Sequence, residues 1–348
     1  MKIKFVQLSG LIVLSILGLC PIQTCRADGQ YHFIKEIHVG GDGGWDCLSI
    51  DADARRLYVA HATKVVVIDL DKETVAGEIT NTIGVHDFAF APKIQRGFSS
   101  NGRENMVSVV DLPTLQTIYK LNAGENPDTI LFEPEHGEVY AFNGRGHSIS
   151  VFDASSGKVA ATIPLPGKPE FAVYDSKTGR IYDNIEDKSE VVVIDPAKHQ
   201  VVATWPIAPA ESPSGMALDA KHHRLFIGCD AQMLMLNTKN GKVIATVPIG
   251  DGVDANAFDP KTELAFASCR DGTTTIAKED GDKLTVTQVL KTERGARTMA
   301  LDPVTHKIYL ATAEFEAVAD QEPNATPRRP KPIPGTFKIL VYGLTDAK

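Results

Sequence analysis

Val65-Val66-Val67-Ile68-Asp69-Leu70 is a β-branched run ending on an acid, the pattern of a strand running into a turn. Steps of 42 residues bring it back as Val109-Val110-Asp111, Val151-Phe152-Asp153 and Val193-Ile194-Asp195. The next two steps land on Leu236-Asn237 and Lys278-Glu279. The last copy, Leu340-Val341-Tyr342-Gly343, is displaced: it follows Glu279 by 64 residues, an insertion of about 22. A period of this length decides the fold first, because one such unit cannot bury its apolar face alone.

The first unit divides into four short strands, at residues 45–50, 56–61, 64–70 and 75–79, with Asp51-Ala52-Asp53-Ala54 and Asp71-Lys72-Glu73-Thr74 as turns. Four strands per 40-odd residues predict a β-propeller blade. A second marker holds the register. An aromatic stands in the second strand of every unit: Tyr58, Phe98, Tyr140, Tyr182, Phe226, Phe266 and Tyr309. It reads as packing between blades. Before it lies a turn marked by Asp51, Ala91-Pro92, Glu133-Pro134, Asp175, Asp219, Asp259-Pro260 or Asp302-Pro303. The expected fold is therefore all-β, a single seven-bladed propeller. Its last unit lacks a strand, which the isolated segment 31–39 supplies, so the two ends of the chain close the ring and leave no open edge.

The units resemble the YVTN-type β-propeller repeat, also described as YncE-like. Leu57-Tyr58-Val59-Ala60 followed by Val66-Val67-Ile68-Asp69 carries the resemblance, as do Gly124-Glu125-Asn126-Pro127 and Gly146-His147-Ser148-Ile149-Ser150-Val151-Phe152-Asp153. Gly157-Lys158-Val159-Ala160-Ala161-Thr162-Ile163-Pro164-Leu165 fits as well. The sixth unit departs from the pattern, with Lys278-Glu279 at the usual apolar-acidic strand end. The resemblance implies an exported binding or scaffold protein, in a family itself poorly defined in function. It says little about activity, since propellers host enzymes and scaffolds alike.

The N-terminus reads as a secretory signal over residues 1–27: Lys2 and Lys4, an apolar stretch over 5–19, then a small residue, Ala27, before Asp28. The mature chain, 28–348, is expected in the periplasm, outside the cell or at its surface, as a monomer with no membrane span. Leu17-Gly18-Leu19-Cys20 departs from a lipoprotein box at the bulky Leu19. Losing Lys2, Lys4 and Arg26 leaves 33 basic residues against 44 acidic ones, a balance of about −11. Such acidity argues against nucleic acid as a partner and leaves a small molecule or a protein. Cys47, Cys229 and Cys269 are too few for a disulfide framework and read as buried thiols.

In a propeller the first strand of each blade lines the central channel. Counting five residues back from each turn marker gives one column: Asp46, His86, Asp128, Glu170, Ser214, Asp254 and Arg297. Six of these seven are ionisable, whereas the column three residues on (Ser49, Ala89, Leu131, Val173, Ala217, Ala257, Ala300) is small or apolar. Symmetry predicts a polar ring at the channel mouth. Asp46, Asp128, Glu170 and Asp254 are candidate hard-oxygen ligands for a divalent cation. Alternatively, Arg297 would hold a small organic acid, with His86 as acid or base. His86, Glu170 and Arg297 are also the residue types that lactonase-like and lactonizing propellers use at the channel mouth, which makes an enzyme the competing class. Equally, polar groups at a wet channel mouth can serve only strand ends and water.

A second column, His61, Asn101, Asn143, Ile185, Cys229, Cys269 and Thr312, ends the second strands. The Asn-Gly pairs that follow, at Asn101-Gly102 and Asn143-Gly144, are turn chemistry first, with Arg103, Arg145 and His147 as candidate fringe residues. His222-His223 stands beside a turn and reads as a surface pair. The insertion, 314–336, is rich in Pro, Glu and Ala and predicts an extended loop beside the ring, serving as a lid or docking segment or as a tolerated insertion. No Gly-x-Ser-x-Gly elbow, phosphate loop, His-Glu-x-x-His or haem-attachment motif occurs.

Overall fold

The computed structural model describes residues 29–316 and 330–344. Seven antiparallel sheets of four strands form a closed seven-bladed β-propeller. The inner strands of blades 1 to 7 are Trp45–Asp51, Val85–Ala91, Pro127–Glu133, Pro169–Asp175, Met216–Asp219, Val253–Asp259 and Met299–Leu301. Each blade runs outward in chain order except the last, whose fourth strand is Tyr31–His38. The closing strand predicted from the sequence is thus in place, with Tyr31 opposite Leu344 and His38 opposite Lys338.

The third strand of blade 1, Lys64–Asp69, is a continuous β-branched run because neighbouring blades cover both of its faces: Val65, Val66, Val67 and Ile68 are all fully buried. The outer strands alternate instead. Gln200–Pro206 switches between exposed and half-buried at every step, as one face packs and the other meets water. In blades 1 to 6 a register shift interrupts the pairing of third and outer strands, for example between Val67 and Ile68 and between Val193 and Ile194. Bulges of this kind add local twist and splay the outer edge of a blade. The closing strand carries its own shift between Phe33 and Lys35, so it reproduces the outer-strand geometry of the other blades.

All seven column aromatics are buried, none more than 1% exposed. Each packs between adjacent sheets: Tyr58 stacks on Phe88 at 4.6 Å and Phe226 on Phe258 at 4.8 Å, each pair bridging two blades. Tyr31 joins the same system from the chain start, with its ring edge-on to Phe266 at 5.1 Å and its hydroxyl donating to His306 O at 2.7 Å.

The insertion leaves blade 7 between Ile308–Thr312 and Lys338–Leu344, as expected. Its two feet are paired: Phe315 bridges Pro332, Glu316 N donates to Lys331 O and Ile333 N to Glu314 O. Phe315 and Phe337 both pack on Trp45, next to the ring. Residues 317–329, with Asn324-Ala325-Thr326 and Arg328-Arg329, lie outside the described residues, as do residues 1–28, which include the expected leader at 1–27.

One register differs from the expectation. The third strand of blade 6, Thr273–Asp280, has eight residues, and Lys278 sits opposite Leu264, where blade 1 sets Asp69 opposite Arg56. Glu279 is therefore not the acid at the strand end. It falls one position later, at the place of Leu70 in blade 1.

Candidate functional site

The ring column occupies one structural position, and the backbone explains how. Pairing of inner and second strands slips between Trp45 and Leu48, Val85 and Asp87, Pro127 and Ile130, Pro169 and Ala172, and Val253 and Ala255. Asp46, His86, Asp128, Glu170 and Asp254 each stand inside such a slip. Released from the ladder, their side chains turn into the channel. Ser214 and Arg297 precede their shorter strands and reach the same place. All seven line one cavity of about 100 Å³, together with Cys47, Thr129 and Phe171.

Within the cavity the charges are already grouped. His86 Nδ1 lies 2.6 Å from Asp46 Oδ2 and 3.6 Å from Asp128 Oδ1. The Arg297 guanidinium pairs with Asp254, approaches Asp46 Oδ1 at 3.9 Å and reaches Trp45 O at 3.4 Å. Lys168 Nζ is 2.8 Å from Glu170 Oε2. Lys168 also pairs with Glu186.

These placements set the protonation. Burial works against a charged imidazole, but the hydrogen bond to Asp46 and the fields of Asp128, Asp46 and Glu170 outweigh it and lift His86 to about 9. Burial, helped by Asp46 and Glu170 and opposed by His86, pushes Asp128 up to about 7. Burial also raises Glu170, against the pull of Lys168. His86 is thus a cation at neutral pH, and Asp128 and Glu170 hold their protons more tightly than free carboxylic acids do.

Several residues of this site were not legible in the sequence. Asp87 lies beneath the ring, where Oδ1 accepts from Ser49 Oγ at 3.0 Å and Phe88 N at 2.7 Å, and Oδ2 from Ile130 N at 3.2 Å. It ties three blades together, and burial still raises its pKa. Asp183, fully buried under Glu170, is raised well above the carboxylate range by burial and by that neighbour. Polar side chains of one blade hold the carbonyl of the ring residue in the next: Thr129 Oγ1 donates to Glu170 O at 2.6 Å, Asn184 Nδ2 to Ser214 O at 2.7 Å and Ser268 Oγ to Arg297 O at 2.5 Å. Ser100 does the same for Asp128. An Asp directly after the ring column, as at Asp87, was the available signal.

The remaining sequence candidates fall into place. Cys229 and Cys269 are buried and free, and burial pushes both up to about 12. Cys47 departs from the buried-thiol expectation, since it is half-buried and lines the cavity. Burial and the acids Asp87, Asp46 and Asp128 hold its thiol well above the usual range, which makes it a poor nucleophile. The second column is packing: His61 stacks on Phe337 at 4.1 Å and is lowered to about 4 by burial and Lys64, while Asn101 and Asn143 bond to serines of their own blades. Arg103, Arg145 and His147 do not line the cavity. Gly102 does more than turn the chain: a Cβ there would meet His86 Nε2 at 2.6 Å, so the imidazole needs that glycine. His222 is not a free surface residue. It is half-buried and sits 2.6 Å from Asp219.

No family model and no curated protein matches the chain. Among solved structures it is similar to a chain of hydrazine synthase from Kuenenia stuttgartiensis, with a TM-score of 0.70 and 18% identity over 80% of this chain and 96% of that one. At that identity the likeness carries the propeller fold and nothing about activity. Among the described residues no helix is long and apolar enough to cross a membrane.

Proposed function

We propose that this propeller is an exported, YncE-like binding protein of the periplasm or cell surface, and that the channel mouth takes a small cationic ligand. The observation that carries the reading is the convergence of Asp46, Asp128, Glu170 and Asp254 on one small cavity, backed from below by Asp87 and Asp183. Carboxylates outnumber the cations His86 and Arg297 there. A metal ion with oxygen ligands or a small protonated amine would relieve the mutual repulsion of these acids. An organic acid on Arg297 is the weaker reading, because that guanidinium is already committed to Asp254 and Trp45 O. The lactonase-like alternative draws no support from His86, which is protonated below about pH 9 and so holds no free lone pair for base catalysis at neutral pH.

A thermal-shift screen tests this. The chain is stripped with chelator and titrated with Ca²⁺, Mg²⁺ and small alkylamines, alongside small acids and lactones. A ligand at about 100 times its Kd adds about 2.7 kcal/mol of stability, readily seen as a raised midpoint. A shift with a cation that disappears in Asp128→Asn supports the proposal. A shift confined to acids or lactones, a shift that survives Asp128→Asn, or a flat screen overturns it, and the last redirects the search to protein partners.

A further inference from the structure

On the face opposite the ring, each blade has a residue that follows the last paired position of its third strand. In blades 1, 2, 3 and 5 its N–H bonds back to the carbonyl preceding the second strand: Leu70 to Arg55 O, Leu112 to Gln95 O, Ala154 to Gly137 O, Thr238 to His223 O. These residues are buried plugs between sheets, 3%, 8%, 1% and 7% exposed, and three of the four are apolar. In blade 6 the same bond runs from Glu279 N to Glu263 O at 2.9 Å. The one-residue register change noted above has put a carboxylate into this plug position.

Glu279 is 2% exposed, and no donor of the protein bonds either of its oxygens, whose near neighbour is the Asp219 carboxyl. A buried carboxylate without partners is costly unless something else occupies the space beside it. What it faces comes from blade 5. Asp219 ends the inner strand, and His222 stands in the turn that follows, with Nδ1 2.6 Å from Asp219 Oδ2 and 3.6 Å from Glu279 Oε1. One ligand atom from each of the three residues falls within 4.8 Å of the others. Of the surrounding cations, Lys278 donates to Thr262 O at 2.6 Å, and Arg224 reaches Asp282 Oδ1 at 2.7 Å while its buried Nε makes no hydrogen bond.

Blade 3 shows the same turn without the third group. There His136 Nδ1 lies 2.8 Å from Glu133 Oε2, three residues before it, and the plug contributed by blade 4 is Pro196. The acid–histidine pair alone is thus turn chemistry that recurs in this fold. The buried, unpartnered Glu279 aimed at it occurs only at the junction of blades 5 and 6 among the described residues.

We propose that Asp219, His222 and Glu279 form a binding site for a divalent transition-metal ion, clamping blade 5 to blade 6 on the face away from the ring. One imidazole with two carboxylates suits Zn²⁺, Co²⁺ or Mn²⁺ and disfavours Ca²⁺ and Mg²⁺, which take oxygen alone. Three protein ligands leave a coordination position for water. The site is independent of the reading given to the channel mouth.

The full chain, stripped with chelator, is dialysed against Zn²⁺ and its retained metal counted; in parallel, Co²⁺ is added and its visible d–d absorption recorded. The expected result is one retained equivalent that is lost in both Glu279→Leu and His222→Ala, with a Co²⁺ spectrum that persists in the channel-mouth variant Asp128→Asn. Glu279→Leu restores the plug found in blades 1 and 2; should it misfold, Glu279→Gln keeps the shape and must lose the metal equally. No retained metal, equal retention in wild type and the Glu279 variants, or a Co²⁺ spectrum abolished by Asp128→Asn but not by His222→Ala, overturns the proposal.

Discussion

At His86 and Asp128 the fold holds protons that the unfolded chain would release. His86 titrates near 9 against an ordinary 6.5, so its contribution to stability is complete below about 6.5 and lost as pH rises through 9. Asp128 titrates near 7 against 3.8. It too favours the protonated fold, and its contribution fades as pH rises from about 4 through 7. Both shifts therefore have the same sign: the native state binds more protons, and stability falls with rising pH. Urea unfolding of the ligand-free chain at pH 5, 7 and 9 is expected to give successively lower midpoints, and His86→Gln is expected to flatten the step between 7 and 9. A midpoint that is level or rising between pH 7 and 9 in the wild type would sink this account. The ring itself could be read from the sequence because symmetry sets one residue per blade at the same offset from a turn. The groups that tune it could not. Lys168 and Asp183 stand at other offsets and meet the ring only through the bulges and the depth of the channel wall, which no column of residues displays.

The blade is the element through which the sequence is most legible, because its pattern reports burial directly. A β-branched run means a strand covered on both faces, and an alternating one means an outer strand. The pattern fails where the spacing between units changes. Stepping 42 residues from Asn237 reaches Glu279, yet the paired starts of the second strands, Arg224 and Leu264, are only 40 apart and the next hairpin is one residue longer, so the true counterpart is Lys278. That single shift turns an acid expected at the strand end into a buried one, and periodicity alone could not reveal it. Blade 7 is the opposite case, since a missing strand at one end and a spare strand at the other specify the closure. Tyr31 is the pin of that closure, 2% exposed, edge-on to Phe266 and hydrogen-bonded to His306 O. Tyr31→Ala removes a buried aromatic and leaves that carbonyl unpaired, at an expected cost of about 3–5 kcal/mol. Equilibrium denaturation measures this loss. A loss under about 1 kcal/mol would mean that the closing strand is held by its backbone ladder alone.

For the molecule as a whole, a ring of like blades predicts that the place of closure is interchangeable. The native seam lies between the outer strand Tyr31–His38 and the third strand Lys338–Leu344 of one sheet. Because Tyr31 and Leu344 are register partners, a linker of about 2–5 residues joining them makes an ordinary hairpin. The corresponding hairpin of blade 3 turns at Ser155-Ser156-Gly157, with both serines exposed and Val159–Pro164 as its outer strand. Opening the chain there creates a permutant that begins on an outer strand and ends on a third strand, the same arrangement moved four blades away. It keeps every buried contact of the core and every ring residue in place. The permutant is expected to unfold in one cooperative transition with a midpoint a few degrees below that of the native chain, since a loosened turn costs on the order of 1 kcal/mol. The Co²⁺ response at Glu279 should be unchanged, because blades 5 and 6 keep their junction. A permutant that aggregates or loses its tertiary signal would show that blade 7 is specifically built to be the seam, and would direct attention to the paired feet of its insertion and their packing on Trp45.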